Sequence, residues 1–123
     1  MPEQKTYTLV IGASLKPERY SNRAVLALRR HGHAVHAIGL RSGTIGDVQI
    51  QTGKPSFSDV DTVTLYLGPQ NQGEMIAYIL SLQPRRIIFN PGAENPTFEK
   101  LATEKGIEVE EACTLVLLST SQF

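Results

Sequence analysis

Short apolar, β-branched runs alternating with segments of helical period constrain this chain more than any other feature. Tyr7-Thr8-Leu9-Val10-Ile11, Ala34-Val35-His36-Ala37-Ile38, Thr62-Val63-Thr64-Leu65-Tyr66-Leu67 and Arg86-Ile87-Ile88-Phe89-Asn90 have the length of strands, and glycine follows each within two residues. Strands this uniformly apolar are covered on both faces, and alternation with helices implies βαβ units. The expected fold is therefore α/β, a Rossmann-like doubly wound parallel sheet of five to six strands with helices on both faces, in three layers.

The boundaries follow from local chemistry. Strand one is expected at 7–12. Ala24, Val25 and Leu28, with Leu26 and Ala27, recur at spacings of three and four; Ser21 offers an N-cap and Gly32 a stop, predicting a helix over 21–31. A strand at 34–38 runs into the glycine- and serine-rich 39–44, which puts Arg41 just past its carboxyl end. Val48-Gln49-Ile50-Gln51 alternates briefly and predicts a short edge strand. The strand at 62–67 stops at Gly68-Pro69, before a helix carrying Met75, Ile76, Tyr78, Ile79, Leu80 and Leu82. After the strand at 86–90, a turn over 91–96 leads to a helix at 96–105 ended by Gly106, then a strand at 107–109. Residues 112–118 fit either a strand or a helical turn and are expected to pack inward.

A chain of 123 residues, 41% hydrophobic, buries about two-thirds of its unfolded surface. That suffices for one core, so residues 1–123 are expected to form one domain. Twelve basic and twelve acidic residues cancel, leaving no broad field to hold a nucleic acid, and any recognition of phosphate must be local. Cys113 is the only cysteine and forms no internal disulfide, the N-terminal residues do not resemble a secretory leader, and no apolar run approaches the ~20 residues of a membrane span. The expected setting is soluble, reducing and cytoplasmic, without a membrane partner. No protein partner is specified.

The candidate chemistry sits in loops. Strand one feeds its helix through Gly12-Ala13-Ser14 and the basic Lys16, Arg19 and Arg23, and such a turn offers backbone N–H groups and the positive end of a helix dipole to an anion. In a doubly wound sheet the ligand lies outside the carboxyl ends of the strands, where 12–21, 39–44, 67–73 and 90–96 converge. The dinucleotide fingerprint G-x-G-x-x-G is missing, and Gly39-Leu40-Arg41 stands where NAD sites place an acidic residue, so a phosphorylated ribose is favoured. NADP and coenzyme A both carry one. No Walker loop is present.

Gly12-Ala13-Ser14, Pro17, Arg19, Ser21 and Arg23 together resemble the first loop of the small stand-alone CoA-binding proteins, relatives of the N-terminal domain of the succinyl-CoA ligase α subunit. The likeness extends through Gly68-Pro69, Asn90-Pro91-Gly92-Ala93 and Gly106-Ile107 to Cys113. It implies that Gly12, Ala13, Ser14, Arg19 and Ser21 wrap the CoA pyrophosphate, that Arg41 approaches the 3′-phosphorylated adenosine, and that the loops with Gly68, Pro69, Asn90, Pro91, Gly92, Ala93 and Glu94 flank the pantetheine arm; the residues themselves add the charge of Lys16 and Arg23 at the same edge. This sequence departs from the family pattern at Gly39-Leu40-Arg41 and Cys113-Thr114, where members commonly carry Asn-Pro and Cys-Pro. The ligase's phosphorylated histidine belongs to a different domain, so the resemblance implies binding of CoA or an acyl-CoA rather than turnover.

No catalytic residue and no metal ligand is assigned. His31 and His33 straddle a turn glycine, and neither they nor His36 is accompanied by a cysteine or carboxylate cluster. Cys113 reads as a core residue, Glu94 and Glu99 as helix N-terminal or solvated charge, and Arg85-Arg86 as a solvated pair at the opposite edge. An NADP-binding reductase module needing a partner domain, and a protein-interaction module with a vestigial nucleotide site, stand as alternatives.

Overall fold

The computed structural model describes residues 5–123. Residues 1–4, part of the N-terminal stretch read for a leader, lie outside the described residues. The elements in chain order are β1 (Tyr7–Ala13), α1 (Tyr20–Arg30), β2 (Ala34–Gly39), β3 (Gly43–Ile45), β4 (Val48–Gln51), β5 (Val60–Leu65), a 3-10 turn (Pro69–Asn71), α2 (Gly73–Ser81), β6 (Arg86–Phe89), α3 (Pro96–Glu104), β7 (Glu108–Glu111) and α4 (Thr114–Ser119).

One sheet runs β3-β4-β2-β1-β5-β6-β7, parallel throughout except for β3, which pairs antiparallel with β4. With β3 set aside, the parallel strands lie in the doubly wound order, first strand central, so the order reverses between β1 and β5. Side chains alternate across β1: Leu9 and Ile11 join Ile79 of α2 and Phe98 and Ala102 of α3, whereas Val10 joins Val25 and Leu28 of α1 and Leu118 of α4. Two separate cores, one per face, make the three layers. Phe89 and Phe98, both fully buried, meet edge-to-face at 5.2 Å and lock α3 onto β6.

The sheet has seven strands among the described residues, not five or six. The addition is β3, expected as loop: Gly43-Thr44-Ile45 pairs Thr44 with Gln49 and Ile45 with Val48, burying Ile45. Residues 48–51 are consequently an inner strand, held by β2 on one side and β3 on the other, and β3 forms the edge. The strand expected at 62–67 lies at Val60–Leu65. Helix α1 begins at Tyr20 with Arg19 at the N-cap, because Ser21, expected to cap it, turns inward and is buried. The ambiguous tail is helical over Thr114–Ser119 and packs on α1, with Thr114 and Leu118 buried and Val116 exposed.

Arg86 is no solvated residue. Only 5% exposed, it lies under the Phe123 ring at 4.7 Å, with its Nη1 3.6 Å from Glu110 and its Nε directed at the Thr62 hydroxyl at 3.4 Å. Arg85 is exposed and holds both carboxylate oxygens of Asp61 at 3.0 Å. A guanidinium survives such burial because paired acceptors and an aromatic face replace water.

Candidate functional site

The parallel strands β1, β2, β5 and β6 end on one edge of the sheet, and specific contacts join the loops that leave them. Ala13 pairs with Gly39, and a Cβ on Gly39 would stand 2.3 Å from the Ala13 carbonyl oxygen, so only glycine lets β2 run this close to the end of β1. Leu15 packs over Gly43, tying 12–21 to the strand after Arg41. Gly12, at φ +94°, bulges β1 where its pairing with β2 shifts, and a Cβ there would meet Tyr66 at 3.2 Å and Leu67 at 3.3 Å. Three of the four loops therefore touch around the strand-order reversal.

The fourth is joined by a buried side chain. Gln72, 0% exposed, donates from its single Nε2 to the carbonyls of Leu67 at 2.8 Å and Ala93 at 2.7 Å, and its Oε1 accepts from Asn95 Nδ2 at 2.8 Å. Asn90 is likewise buried: its Nδ2 donates to the Thr64 hydroxyl and the Leu65 carbonyl, and its Oδ1 accepts from the Thr114 backbone N–H at 2.9 Å. Its carboxamide holds β5, β6 and α4 together and faces no solvent. Asn22, 6% exposed, donates to the Ser14 carbonyl at 2.8 Å, and the Ser14 hydroxyl accepts from Lys16 N–H at 3.1 Å, fixing the first loop.

The sequence-derived residues thus divide by environment. Lys16, Arg19, Arg23, Arg41, Pro69, Pro91, Gly92 and Glu94 are exposed; Gly12, Ser14 and Gly68 are half-buried; Ala13, Ser21, Asn90 and Ala93 are buried. Among the described residues, none of Lys16, Arg19, Arg23 and Arg41 has a carboxylate at ion-pair distance, while Arg29 pairs with Asp47 and Arg85 with Asp61 elsewhere. The exposed apolar side chains Leu15, Tyr20 and Leu40 stand beside these cations, Leu40 being 97% exposed.

Of the helix N-termini at this edge, those of α1 and α3 differ most; α2 has no side-chain cap but carries Glu74 in its first turn, and α4 is only six residues long. Helix α3 is closed by its own sequence: Asn95 Oδ1 accepts from Phe98 N–H, and Glu99 Oε2 accepts from Asn95 N–H at 3.0 Å. Helix α1, eleven residues long, carries no capping side chain and no acidic residue in its first turn. Its first N–H groups and its dipole face the basic loop without an internal acceptor. Charge is also segregated along the edge. Cations cluster over β1 and β2, whereas Glu111, through its hydrogen bond and charge repulsion with Glu99 and the nearby Glu94 charge, has its pKa raised on the β6–β7 side.

The three histidines have structural partners. His31 Nδ1 lies 2.8 Å from the Ala27 carbonyl, His33 meets Phe123 edge-on and has its pKa lowered by burial and by neighbouring His31 and Arg86, and His36 is stacked between Tyr7 and Phe57 with Nε2 3.0 Å from Asp59. Among the described residues no three His, Cys, Asp or Glu side chains group to hold a metal. Cys113 is half-buried at the N-cap of α4 rather than in the core. The buried Tyr66 hydroxyl finds no partner of good geometry because the neighbouring Thr64 and Thr114 hydroxyls bond each other at 2.7 Å, and burial pushes it up to about 12.

Two surface concavities, of about 810 and 290 Å³, open at the opposite, amino end of the sheet, one lined by Ala77, Leu80 and Ile107, the other by His33, Asp61 and Arg86. Volume does not identify the site here: the carboxyl edge is an open loop surface, and neither concavity includes a residue of its four loops. Sequence reading missed Gln72, Asn22 and Asn95, whose role arises from contacts between loops. No helix among the described residues is long and apolar enough to cross a membrane.

No curated protein matches the sequence. A crystal structure of an uncharacterized protein is similar at 43% identity and TM-score 0.93, covering 98% of this chain and 100% of that one. A Thermus thermophilus protein (22% identity, TM-score 0.83, 97% and 91% covered) and a hypothetical protein from Pyrococcus horikoshii OT3 (24%, 0.79, 95% and 83%) share the fold. Residues 6–119, which hold every loop of the carboxyl edge, match the family described as CoA binding domain, and the chain belongs to that family.

Proposed function

We propose that this protein binds coenzyme A or an acyl-CoA along the carboxyl edge of its sheet, as a binding module rather than an enzyme. The observation that carries the reading is the open N-terminus of α1 beside Lys16, Arg19, Arg23 and Arg41, opposite an α3 terminus already sealed by Asn95 and Glu99. A ligand with several phosphates at one end and a long uncharged arm at the other fits an edge that is cationic over β1–β2 and acidic toward β7.

In this reading the backbone of Gly12, Ala13 and Ser14 and the first turn of α1 hold the pyrophosphate, Arg19 and Lys16 neutralise it, and Arg41 meets the ribose 3′-phosphate. The exposed Leu40 and Tyr20 give the adenosine ring apolar surface to rest on. The arm runs between Gly68-Pro69 and Pro91–Glu94. Buried Asn90, Gln72 and Asn22 hold these loops in place, which supports binding as their task.

Calorimetry with CoA, acetyl-CoA, NADP, NAD and ATP tests this, with Arg19→Asp as the informative variant. An aspartate at the N-cap supplies the missing cap and repels phosphate, so the variant should melt higher, by about 1 kcal/mol of stability, and lose CoA affinity. Binding of NADP with no heat from millimolar CoA would replace this reading with the NADP alternative.

A further inference from the structure

The carboxyl edge consists of two halves, one built on β1 and β2 and one on β5 and β6; Asn90 joins the strand ends of the second half, and the Gln72 carboxamide alone bonds to both of its loops beyond them. Gln72 is fully buried, so no water can replace its bonds. Its amide nitrogen donates to one carbonyl in each loop, Leu67 and Ala93, while its oxygen receives Asn95 Nδ2. Its own backbone carbonyl accepts the N–H groups of Met75 and Ile76 and so opens α2. By donating twice and accepting once, this side chain ties the start of α2, the loop after β5 and the loop after β6 to one another. An ionised glutamate of the same size has no donors, and a methionine has no donor and only a weak sulfur acceptor.

We infer that Gln72 is a positioning residue for the arm-binding half of the site, clasping the 67–73 and 90–95 loops together at the spacing the pantetheine arm requires; this rests on the CoA reading above. The first loop shares none of these bonds, since Asn22 fixes it to Ser14 and Gly12 seats it on Tyr66. Without the clasp the two loops separate, and a ligand must order them on binding. The cost falls on whatever lies between them and spares what lies over α1.

The test compares CoA with adenosine 3′,5′-bisphosphate and phosphopantetheine as calorimetric probes, on wild type, Gln72→Met and Asn95→Asp, each well below its own melting temperature. Asn95→Asp retains an acceptor for Phe98 N–H, hence the α3 cap, but removes the donor to Gln72, so it stays interpretable if Gln72→Met does not fold. Both variants should weaken CoA and phosphopantetheine by about tenfold while adenosine 3′,5′-bisphosphate changes by less than about twofold. A merely structural role would lower the melting temperature and leave this selectivity unmoved. Equal loss for all three probes, or unchanged CoA affinity in the folded variants, overturns the inference while leaving CoA binding intact. If wild type binds none of the probes, the CoA reading itself falls, and this role with it.

Discussion

Gly39→Ala places one methyl group where the structure has least room, and its effect can be worked from the geometry. Gly39 does not have a positive φ, so the substitution introduces no backbone strain of its own; the added Cβ would lie 2.3 Å from the Ala13 carbonyl oxygen and 3.0 Å from Ile50 Cγ2. Real Cβ contacts essentially never fall under 3.0 Å, and the nearer atom is backbone, which cannot rotate away. Relief requires the end of β1 to move off β2 where Ala13 pairs with Gly39. Overpacking against an immovable group costs about 3 kcal/mol, or roughly 10 °C in melting temperature for a domain of this size. Gly73→Ala is the matched control: it makes the same chemical change at the first residue of α2, with nothing within 4 Å and no positive φ, and should stabilise by about 0.5 kcal/mol through the unfolded chain. Urea unfolding at 25 °C, read by circular dichroism, measures both. If Gly39→Ala lies within about 0.5 kcal/mol of wild type, the close approach of β2 to β1 is not a constraint and the joining of the first two loops must have another cause.

Three further outcomes are expected. Arg41→Ala, at an exposed position without an acidic partner, should leave stability unchanged and weaken CoA by about fivefold, with 3′-dephospho-CoA unaffected in the same calorimetric titration. Asn90→Ala should destabilise by about 2–4 kcal/mol in urea unfolding, because the Thr114 N–H loses its acceptor inside the fold. Glu111, whose folded-state pKa is raised by its hydrogen bond and charge repulsion with Glu99, should favour folding fully below the ordinary carboxylate value of 4.5 and lose that contribution as pH rises through the raised value. Glu111→Gln should therefore flatten the decline in melting temperature over that window, as a pH series of thermal melts will show.

How much of this was legible beforehand depended on the range of the forces involved. Tyr7–Ile11 and Ile87–Phe89 declare themselves as buried strands because burial on both faces demands an unbroken apolar run. The loops of the carboxyl edge were equally plain, being marked by Gly12, Gly39, Gly68-Pro69 and Pro91-Gly92. β3 escaped because three residues beginning with glycine carry no strand signal of their own and become a strand only by pairing with β4. Ser21 has the chemistry of an N-cap, yet the packing of α1 turns it inward and leaves the cap position to Arg19. Gln72 in Gln70-Asn71-Gln72 looks like loop polarity, and only the meeting of residues 67, 93 and 95 around it gives that amide a purpose. Asn90 stood out in sequence as a ligand-facing residue, whereas its side chain is occupied in holding the loop that would face the ligand.

That division explains why such a site leaves so faint a motif. The side chains with the strictest geometric demands at this edge, Asn22, Gln72 and Asn90, are buried and bonded to backbone atoms of their own protein. What remains for a ligand is chiefly backbone N–H at an uncapped helix and a few exposed cations, and backbone can be presented by many sequences. Structures at 22–24% identity accordingly retain the whole fold at TM-scores of 0.79–0.83, since the apolar pattern alone maintains a parallel sheet that delivers four loops to one edge. In the CoA reading proposed above, the anion goes to the long helix whose terminus the sequence leaves without cap or acidic first turn. Asn95 and Glu99 close α3 and Glu74 lies in the first turn of α2, whereas the eleven-residue α1, with Arg19 at its N-cap, carries neither a capping side chain nor an acidic first turn.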